Sequence, residues 1–369
     1  MTLVPMQPPT SSQSAPQPVS TVAPIRLLIV DDSGFMRTAI RKMVERDGRV
    51  QVVGEARNGL IGVEMARSLR PDVITMDIEM PELNGLDATR LIMREIPTPI
   101  IMVSSLTQAS ADVTVRALRE GAVDYISKSS SFVALDIIQI EQELKEKISY
   151  WARRRGFSPP SAAASPQRSA APPAADRLRG PVEIVVIGVS TGGPKTVPEL
   201  LAQTGRLNCP VVVAQHMPEI FTASFAQQLA RDTGLSVMEG TDGQDLAPGT
   251  VTILKGGTDT EIVRRANGHL GLWVRLHADA PIHPSVDVLF ASVAKASVQP
   301  VGVILTGMGD DGTRGGLDLV RRGFPVLAQE PDTCIVGGMP GAALGAGAAT
   351  QSLAIPALAA KLRAWAGAR

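Results

Sequence analysis

A regular alternation of short apolar segments with amphipathic ones limits the fold of this chain more than any other feature. Between residues 25 and 150, five apolar segments are each followed by residues with helical periodicity. The segments are IRLLIV (25–30), QVVGEA (51–56), DVITM (72–76), PIIMV (99–103) and VDYIS (123–127). Continuously apolar strands separated by amphipathic helices are typical of a parallel sheet covered on both faces. We therefore predict an N-terminal (βα)5 domain.

The same alternation returns in the second half of the chain. Strand-like segments are VEIVVIG (182–188), PVVVAQ (210–215), VGVILTG (301–307) and PVLAQ (325–329). Between them, residues 251–276 contain Gly and Asn turns and predict a small antiparallel insert. The second half is therefore expected to be a doubly wound, mainly parallel α/β domain. In such sheets, ligands bind outside the carboxyl ends of the strands.

Two stretches interrupt this pattern and set the domain boundaries. Residues 1–24 contain no charged residue and are rich in Pro, Gln, Ser and Thr, which predicts a disordered tail. Residues 151–181 are rich in Pro, Ala, Ser and Arg, which predicts a flexible linker. A length of 369 residues has room for about two domains. These domains are expected at 25–150 and 182–367.

Charge and composition exclude several classes of protein. Lys+Arg and Asp+Glu are both 36, so the net charge is zero, and aromatic residues make up 3%. A nucleic-acid-binding protein would be expected to carry a basic surface and stacking aromatics. No apolar segment approaches the ~20 residues of a membrane helix, and the first residues lack the pattern of a signal peptide. Two cysteines cannot form a disulfide framework, so we expect a cytoplasmic protein with no membrane insertion.

Acidic residues follow the strands of the first predicted domain. Asp31 and Asp32 follow the first strand, Asp77 ends the third, Ser104 ends the fourth and Lys128 ends the fifth. Parallel strands bring these side chains to one edge of the sheet, where a cluster of carboxylates suits Mg²⁺. Asp77 would then be placed as a nucleophile toward phosphorus, opposite Lys128. Strand-end Asp residues are also common helix caps, which is the plainer explanation for Asp32 alone.

On these residues, the segment 25–150 resembles the receiver domain of two-component response regulators. The resemblance implies that Asp77 is the phosphoacceptor, and that a histidine kinase is the phosphodonor. It implies that Asp31, Asp32, Asp77 and the backbone carbonyl of Glu79 hold Mg²⁺. It also implies that Ser104 and Tyr125 are the switch residues and that Lys128 contacts the phosphate. The family usually has Pro after this lysine, whereas this chain has Ser129.

In the second domain, the first strand runs into Gly188-Val189-Ser190-Thr191-Gly192. The pattern Gly-x-Ser-x-Gly is that of a nucleophile elbow, in which small residues allow a tight turn that exposes the serine hydroxyl. A glycine-rich phosphate turn is the competing interpretation. A dinucleotide site would have Gly instead of Ser190 and an acid instead of Gln215-His216 at the end of the second strand. Both differences favour catalysis over dinucleotide binding.

A serine nucleophile needs a base and an acid that orients it. Of the four histidines, His216 alone ends a predicted strand, whereas His269, His277 and His283 suit turns or the surface. Asp310 and Asp311 follow another buried strand, and spacing does not decide between them. The order Ser, His, Asp differs from that of α/β-hydrolases, so a different doubly wound scaffold is expected.

Residues 182–367 resemble the catalytic domain of chemotaxis protein-glutamate methylesterases, the CheB family. The matching segments are GVSTGGP (188–194), QHMP (215–218), PSVDVLF (284–290), LTGMGDDG (305–312) and Met339-Pro340. The resemblance implies that Ser190, His216 and Asp311 form the triad, with Thr191 and the Met308 backbone N–H beside it. The chain departs from the family pattern at residues 254–259, where Ala-Pro-Gly and a following His are usual. It departs again at His283, where Arg is usual.

The resemblance also implies a function. We expect a phosphorylation-activated esterase that hydrolyses glutamate γ-methyl esters on chemoreceptor helices, and that also deamidates glutamines. The receiver is expected to dock over the active site until it is phosphorylated. The esterase is expected to need no cofactor, and the protein to be a monomer. The alternative is a phosphorylation-dependent adaptor protein with an idle esterase site.

Overall fold

The computed structural model describes residues 23–46, 48–105, 107–128, 134–153, 178, 180–276 and 282–367. Of Gln108 and of residues 134–139 only the backbone is described. The predicted tail, apart from residues 23 and 24, lies outside the described residues, as do Ser129 and most of the predicted linker.

The first domain is a five-stranded parallel sheet with helices on both faces. Its strands are β1 (Ile25–Val30), β2 (Val50–Ala56), β3 (Val73–Asp77), β4 (Ile100–Ser105) and β5 (Asp124–Lys128). Its helices are α1 (Gly34–Glu45), α2 (Gly59–Leu69), α3 (Gly85–Glu95), α4 (Gln108–Arg119) and α5 (Ala134–Arg153). The strand order β2-β1-β3-β4-β5 confirms the predicted (βα)5 fold.

Local sequence explains where these helices begin. Ser33, Asn58, Asn84 and Thr107 each cap a helix, and each side chain accepts a hydrogen bond from a backbone N–H of the first turn. The last helix runs to Arg153, and its Trp151 is buried in a cluster with residues of β1 and β4.

The second domain is built on a seven-stranded sheet in which every strand pairing is parallel. The strands are β6 (Ile184–Val189), β7 (Val211–Gln215), β8 (Ser236–Glu239), β9 (Thr250–Ile253), β12 (Pro300–Ile304), β13 (Val326–Gln329) and β14 (Gln351–Leu353). The helices are α6 (Gly193–Thr204), α7 (Glu219–Thr233), α8 (Val286–Ala296), α9 (Thr313–Arg321), α10 (Gly338–Gly345) and α11 (Ile355–Ala366). The order is β14-β13-β12-β6-β7-β9-β8, with β6 at the centre.

The antiparallel insert is smaller than predicted. Only β10 (Asp259–Arg264) and β11 (Leu270–Arg275) form an antiparallel pair. The residues at the start of the predicted insert are instead β9, which lies in the main sheet and pairs in parallel with β7 and β8. A four-residue apolar segment is compatible with either arrangement, and burial against the central core decides in favour of the parallel sheet.

The two domains pack against each other through α4, β5 and α5 of the first domain. Ala111 and Val115 of α4 share a core cluster with α6 and α7, and the Tyr125 ring lies 5.0 Å from that of Phe221. At the edge of this interface, Arg119 forms an ion pair with Asp232 at 2.8 Å. None of the helices in the described ranges is long and apolar enough to cross a membrane.

Candidate active site and phosphoacceptor site

The proposed nucleophile and base lie at the point where the strand order reverses. The central strand β6 pairs with β7 on one side and with β12 on the other. Ser190 directly follows β6 and His216 directly follows β7, and Val189 is in register with Gln215. The residues before Asp311 continue from β12. All three therefore meet at the carboxyl edge of adjacent strands, where α/β proteins bind ligands.

Close packing explains why small residues surround Ser190. A Cβ added at Gly188 would lie 2.2 Å from Val286 Cγ1, and one at Gly193 would lie 1.8 Å from the Gln215 side-chain oxygen. Gly192 has a φ of +86°, a left-handed conformation that favours glycine. The glycines therefore let the chain turn sharply out of β6, as a nucleophile elbow requires.

Neighbouring strands hold the backbone of the elbow in place. The Ser190 N–H donates to the carbonyl of Thr306 at 3.0 Å. The Gln215 side-chain amide donates to the carbonyl of Ser190 at 2.9 Å and to that of His216 at 3.1 Å. The last residue of β7 thus connects the positions of nucleophile and base.

His216 and Asp311 form a direct hydrogen bond. His216 Nε2 lies 2.8 Å from Asp311 Oδ2, and the His216 side chain is only 7% exposed. In the tautomer that donates from Nε2 to Asp311, Nδ1 is the acceptor. The nitrogen left for Ser190 is therefore Nδ1, the reverse of the arrangement in chymotrypsin-like triads. No hydrogen bond joins Ser190 Oγ to His216 in the described part of the chain, and such bonds are often long before substrate binds.

The environment of Asp311 keeps it ionised. Burial alone raises the pKa of Asp311, but the hydrogen bond from His216 and those from the backbone N–H groups of Val286 and Asp287 outweigh burial and lower it. The two N–H donors belong to the first turn of α8 and lie 2.8 and 2.9 Å away. Asp311 is therefore placed as a fixed acceptor for the imidazole, and Asp310 makes no such contact with His216 among the described residues.

The Met308 loop lies against the nucleophile. A Cβ on Gly307 would come within 2.8 Å of Ser190 Cβ, which places this loop beside the serine. Among the described residues, no group accepts a hydrogen bond from the Met308 N–H. A free N–H next to a nucleophile is suited to stabilise an oxyanion. Thr191, on the other side of Ser190, donates through Oγ1 to Asp124 of the first domain at 3.1 Å.

Three acidic residues of the first domain lie together at the carboxyl edge of its sheet. One carboxylate oxygen each from Asp31, Asp32 and Asp77 lie within 4.8 Å of one another. Lys128 Nζ is 2.9 Å from Asp77 Oδ1 and 3.0 Å from Asp31 Oδ2. The strand ends of β1, β3 and β5 therefore bring together three carboxylates and one cation.

Burial and charge shift the pKa values of this cluster. Burial raises the pKa of Asp77, Lys128 opposes that shift, and Asp31 adds to it, so the net pKa lies above its usual value. Burial lowers the pKa of Lys128, but its pairing with Asp77 and Asp31 outweighs this effect and raises it. Carboxylates that one lysine does not fully compensate fit a divalent cation with oxygen ligands.

The other predicted residues of the first domain occupy different surroundings. The Glu79 carboxylate accepts a hydrogen bond from Ser110 Oγ at 2.7 Å. The group of Glu79 that is proposed to bind the metal is its backbone carbonyl. Ser104 is fully buried and accepts from Thr114 Oγ1 of α4 at 2.9 Å. Tyr125 lies in the interface with the second domain, and burial raises the pKa of its phenol well above the usual value.

Three polar contacts are not apparent from the sequence pattern. Gln215 donates to the backbone carbonyls of Ser190 and His216, and Asp124 accepts from Thr191. His283 suits a turn or the surface by its sequence, but its Nδ1 lies 2.9 Å from the fully buried carboxylate of Asp259. Asp259 and its partner are 24 residues apart, and the only sequence signal was that both positions depart from the family pattern.

Fold and sites together define a response regulator whose output domain is an α/β domain with a serine elbow. Residues 27–138 match the response regulator receiver domain family, and residues 185–362 match the CheB methylesterase family. The chain belongs to the family of protein-glutamate methylesterases/protein-glutamine glutaminases. This confirms the predicted family and enzyme class, and it disfavours an adaptor without enzymatic activity.

Three relatives cover most of the chain. Protein-glutamate methylesterase/protein-glutamine glutaminase 1 of Oleidesulfovibrio alaskensis is 42% identical over 88% of this chain and 95% of its own length. Protein-glutamate methylesterase/protein-glutamine glutaminase 2 of Carboxydothermus hydrogenoformans is 40% identical over 90% of this chain and 96% of its own length. Protein-glutamate methylesterase/protein-glutamine glutaminase 1 of Caulobacter vibrioides is 42% identical over 91% of this chain and 96% of its own length.

Proposed function

We propose that Ser190 is the nucleophile of a methylesterase and deamidase acting on glutamate and glutamine side chains. His216 Nδ1 takes the hydroxyl proton as Ser190 Oγ attacks the γ-carbonyl carbon. The tetrahedral intermediate collapses with proton return to the leaving group, which departs as methanol from a methyl ester or as ammonia from an amide. Water, activated by the same imidazole, then hydrolyses the acyl-enzyme to glutamate and free Ser190.

The hydrogen bond between His216 and Asp311 is the single observation that carries this proposal. A carboxylate with a lowered pKa beside a nearly buried imidazole stabilises the imidazolium that forms during attack. The Met308 N–H, next to the elbow, supplies a donor for the oxyanion. Each step uses only side chains and backbone groups of this domain, so the reaction as proposed uses no cofactor.

The substrates we propose are the methylated glutamates, and the glutamines, of chemoreceptor cytoplasmic helices. The support is the family resemblance together with the names of the relatives, which are called protein-glutamate methylesterases and protein-glutamine glutaminases. A chain with zero net charge would bind such helices through shape and local contacts, not through strong electrostatic attraction. We propose that the protein acts in the cytoplasm as a monomer.

We propose that Asp77 accepts a phosphoryl group from a chemotaxis histidine kinase. Asp31, Asp32, Asp77 and the Glu79 carbonyl would hold Mg²⁺, which would neutralise charge on the transferred phosphoryl group. Lys128, already within hydrogen-bonding distance of Asp77, would bind the phosphoryl oxygens from the opposite side. Ser104 would pair with the product phosphate after turning from its contact with Thr114 of α4.

We propose that the docked receiver restrains the esterase until phosphorylation releases it. Support comes from the contacts at the elbow. Thr191, the residue after the nucleophile, is hydrogen-bonded to Asp124, and Met308 packs against the receiver cluster that contains Trp151. Tyr125 follows Asp124 and packs on Phe221, so movement of β5 would disturb both contacts.

The test is methanol release from a methylated chemoreceptor by the full-length protein. We expect Ser190→Ala to lower kcat by about 10³-fold or more, since loss of a triad member has effects of this order. Ser236→Ala, at an exposed serine of β8, is the matched control and should leave kcat unchanged. Ser190→Ala protein with wild-type activity would refute the nucleophile.

The same assay tests regulation. Acetyl phosphate with Mg²⁺ should stimulate the wild-type protein and leave Asp77→Ala unaffected. Equal stimulation of both proteins would remove Asp77 from the mechanism while leaving the assignment of Ser190 intact.

A further inference from the structure

A second imidazole–carboxylate pair lies next to the proposed triad. Asp259, the first residue of β10, is fully buried, and its Oδ2 lies 2.9 Å from His283 Nδ1. The Nδ1 edge of the His283 ring faces Asp259. Because the His283 side chain is 23% exposed, another part of the ring reaches solvent. A buried carboxylate is costly to leave without hydrogen-bond donors, so the contact with His283 contributes to the stability of Asp259 in this position.

Hydrogen bonds connect this pair to the triad. Asp259 Oδ1 accepts from the Ser285 N–H at 2.7 Å, and Ser285 is the N-cap of α8. Ser285 Oγ lies 3.3 Å from Asp311 Oδ1. The next two residues of α8 donate their backbone N–H groups to Asp311. The beginning of α8 is therefore held between two carboxylates, Asp259 on one side and Asp311 on the other.

We propose that His283 and Asp259 are positioning residues for the esterase, acting through the N-terminus of α8. The His283 Nδ1–H orients the Asp259 carboxylate, which fixes the Ser285 N–H. Ser285 in turn sets where the first turn of α8 presents its N–H groups to Asp311. Asp311 then stays aligned with His216. This inference rests on the proposed Ser190–His216–Asp311 mechanism and extends it to two residues that touch neither nucleophile nor base.

The charges around α8 favour this role over a purely local contact. Asp259, Asp311 and Asp287 all accept hydrogen bonds from backbone N–H groups at the starts of α8 and α9. Asp311 pairs with His216, Asp287 with Arg314, and Asp259 with His283. Each carboxylate that receives backbone donors therefore also pairs with a side chain that can carry positive charge, and for Asp259 His283 is such a partner.

Two amide substitutions at residue 283 separate the positioning role from a general structural one. In His283→Asn, the side-chain NH2 lies where Nδ1 was and can still donate to Asp259. In His283→Gln, the NH2 lies where Nε2 was and points away. Both side chains are polar and of similar size, so neither introduces an apolar surface. His269→Gln, in the turn between β10 and β11, is the matched control.

The experiment measures kcat and KM for methanol release from a methylated chemoreceptor with the full-length variants. Active sites are counted by labelling with a fluorophosphonate, so that misfolded protein does not contribute. For His283→Gln we expect kcat per active site to fall about tenfold with KM within about twofold, because a misaligned Asp311 weakens the transition state more than substrate binding. His283→Asn should stay within about twofold of wild type in both constants.

Three results would overturn the inference. The first is wild-type kcat in His283→Gln. The second is a loss carried mainly by KM, which would make residue 283 a substrate contact. The third is an equal loss of kcat in His283→Asn and His283→Gln. An active Ser190→Ala protein would instead refute the proposed mechanism itself, so the two failures are distinguishable.

Discussion

At the scale of single residues, the Asp77 carboxylate lies in surroundings that disfavour its charge. Its pKa is raised, mainly by burial, so ionisation at neutral pH costs folding free energy. Asp77→Asn keeps the shape and removes the charge, and we expect the variant to unfold at a higher temperature at pH 7. Each 1 kcal/mol of stabilisation raises the Tm of a domain of this size by roughly 4 °C. Thermal melts of the full-length protein without added metal measure this difference.

The pH dependence of that difference has a defined sign. Below the pKa of an unfolded Asp, about 3.9, the carboxyl group is protonated in both states and the cost is absent. The cost grows as pH rises through that value and is complete above the raised pKa of the folded protein. Added Mg²⁺ should stabilise the wild type and reduce the advantage of the variant. Glu64→Gln, at an exposed position of α2, serves as control, and a lower Tm for Asp77→Asn would contradict the prediction.

At the scale of elements, the turn from β6 into α6 depends on the absence of side chains. A Cβ at Gly188 would lie 2.2 Å from Val286 Cγ1 of α8, so Gly188→Ala forces β6 and α8 apart. We expect the variant to lose about 1–3 kcal/mol of stability, the usual cost of overpacking a core. The same displacement moves the start of α8 relative to Asp311, so esterase activity per folded molecule should also fall.

Gly341→Ala is the matched control for that substitution. Gly341 lies within α10, and a Cβ there would meet nothing within 4 Å. Alanine is a better helix former than glycine, so this variant should be as stable as the wild type or slightly more stable. Urea unfolding midpoints measure both effects. Equal midpoints for the two variants would show that a Cβ at residue 188 does not destabilise the domain through its contact with Val286.

At the scale of the whole molecule, the contact between the domains should set the basal activity. Arg119 of α4 and Asp232 of α7 form a partly exposed ion pair across the interface. Such a pair contributes roughly 0.2–1 kcal/mol, so Arg119→Ala should raise unphosphorylated esterase activity about 1.4- to 5-fold. Methanol release without phosphodonor is the measurement.

The reciprocal exchange makes this prediction specific. Arg119→Asp combined with Asp232→Arg restores the pair with reversed charges and should return basal activity to the wild-type value. Arg90→Ala, which breaks an ion pair within the receiver, should leave basal activity unchanged. Unchanged activity in Arg119→Ala would indicate that docking does not restrain the esterase.

Periodicity predicted the strands and therefore the groups at their ends. Ser190 and His216 could be placed side by side because parallel strands in one sheet end at a common edge, and Asp31, Asp77 and Lys128 for the same reason. The contact of Thr191 with Asp124, 67 residues away, depends on how two domains dock, which no local pattern encodes. Likewise, the pairing of His283 with Asp259 depends on where α8 starts relative to β10.

The residues of the proposed triad come from two separate parts of the second domain's chain. Ser190 follows the first strand of a strand–helix–strand unit and His216 follows the second, whereas Asp311 comes 95 residues after His216. The hairpin of β10 and β11 lies within that interval and pairs with no strand of the main sheet. Insertions at its turn would leave the elbow, the imidazole and the order of the central strands undisturbed. Length added at this turn would therefore change the surface of the hairpin and leave the groups that perform hydrolysis in place.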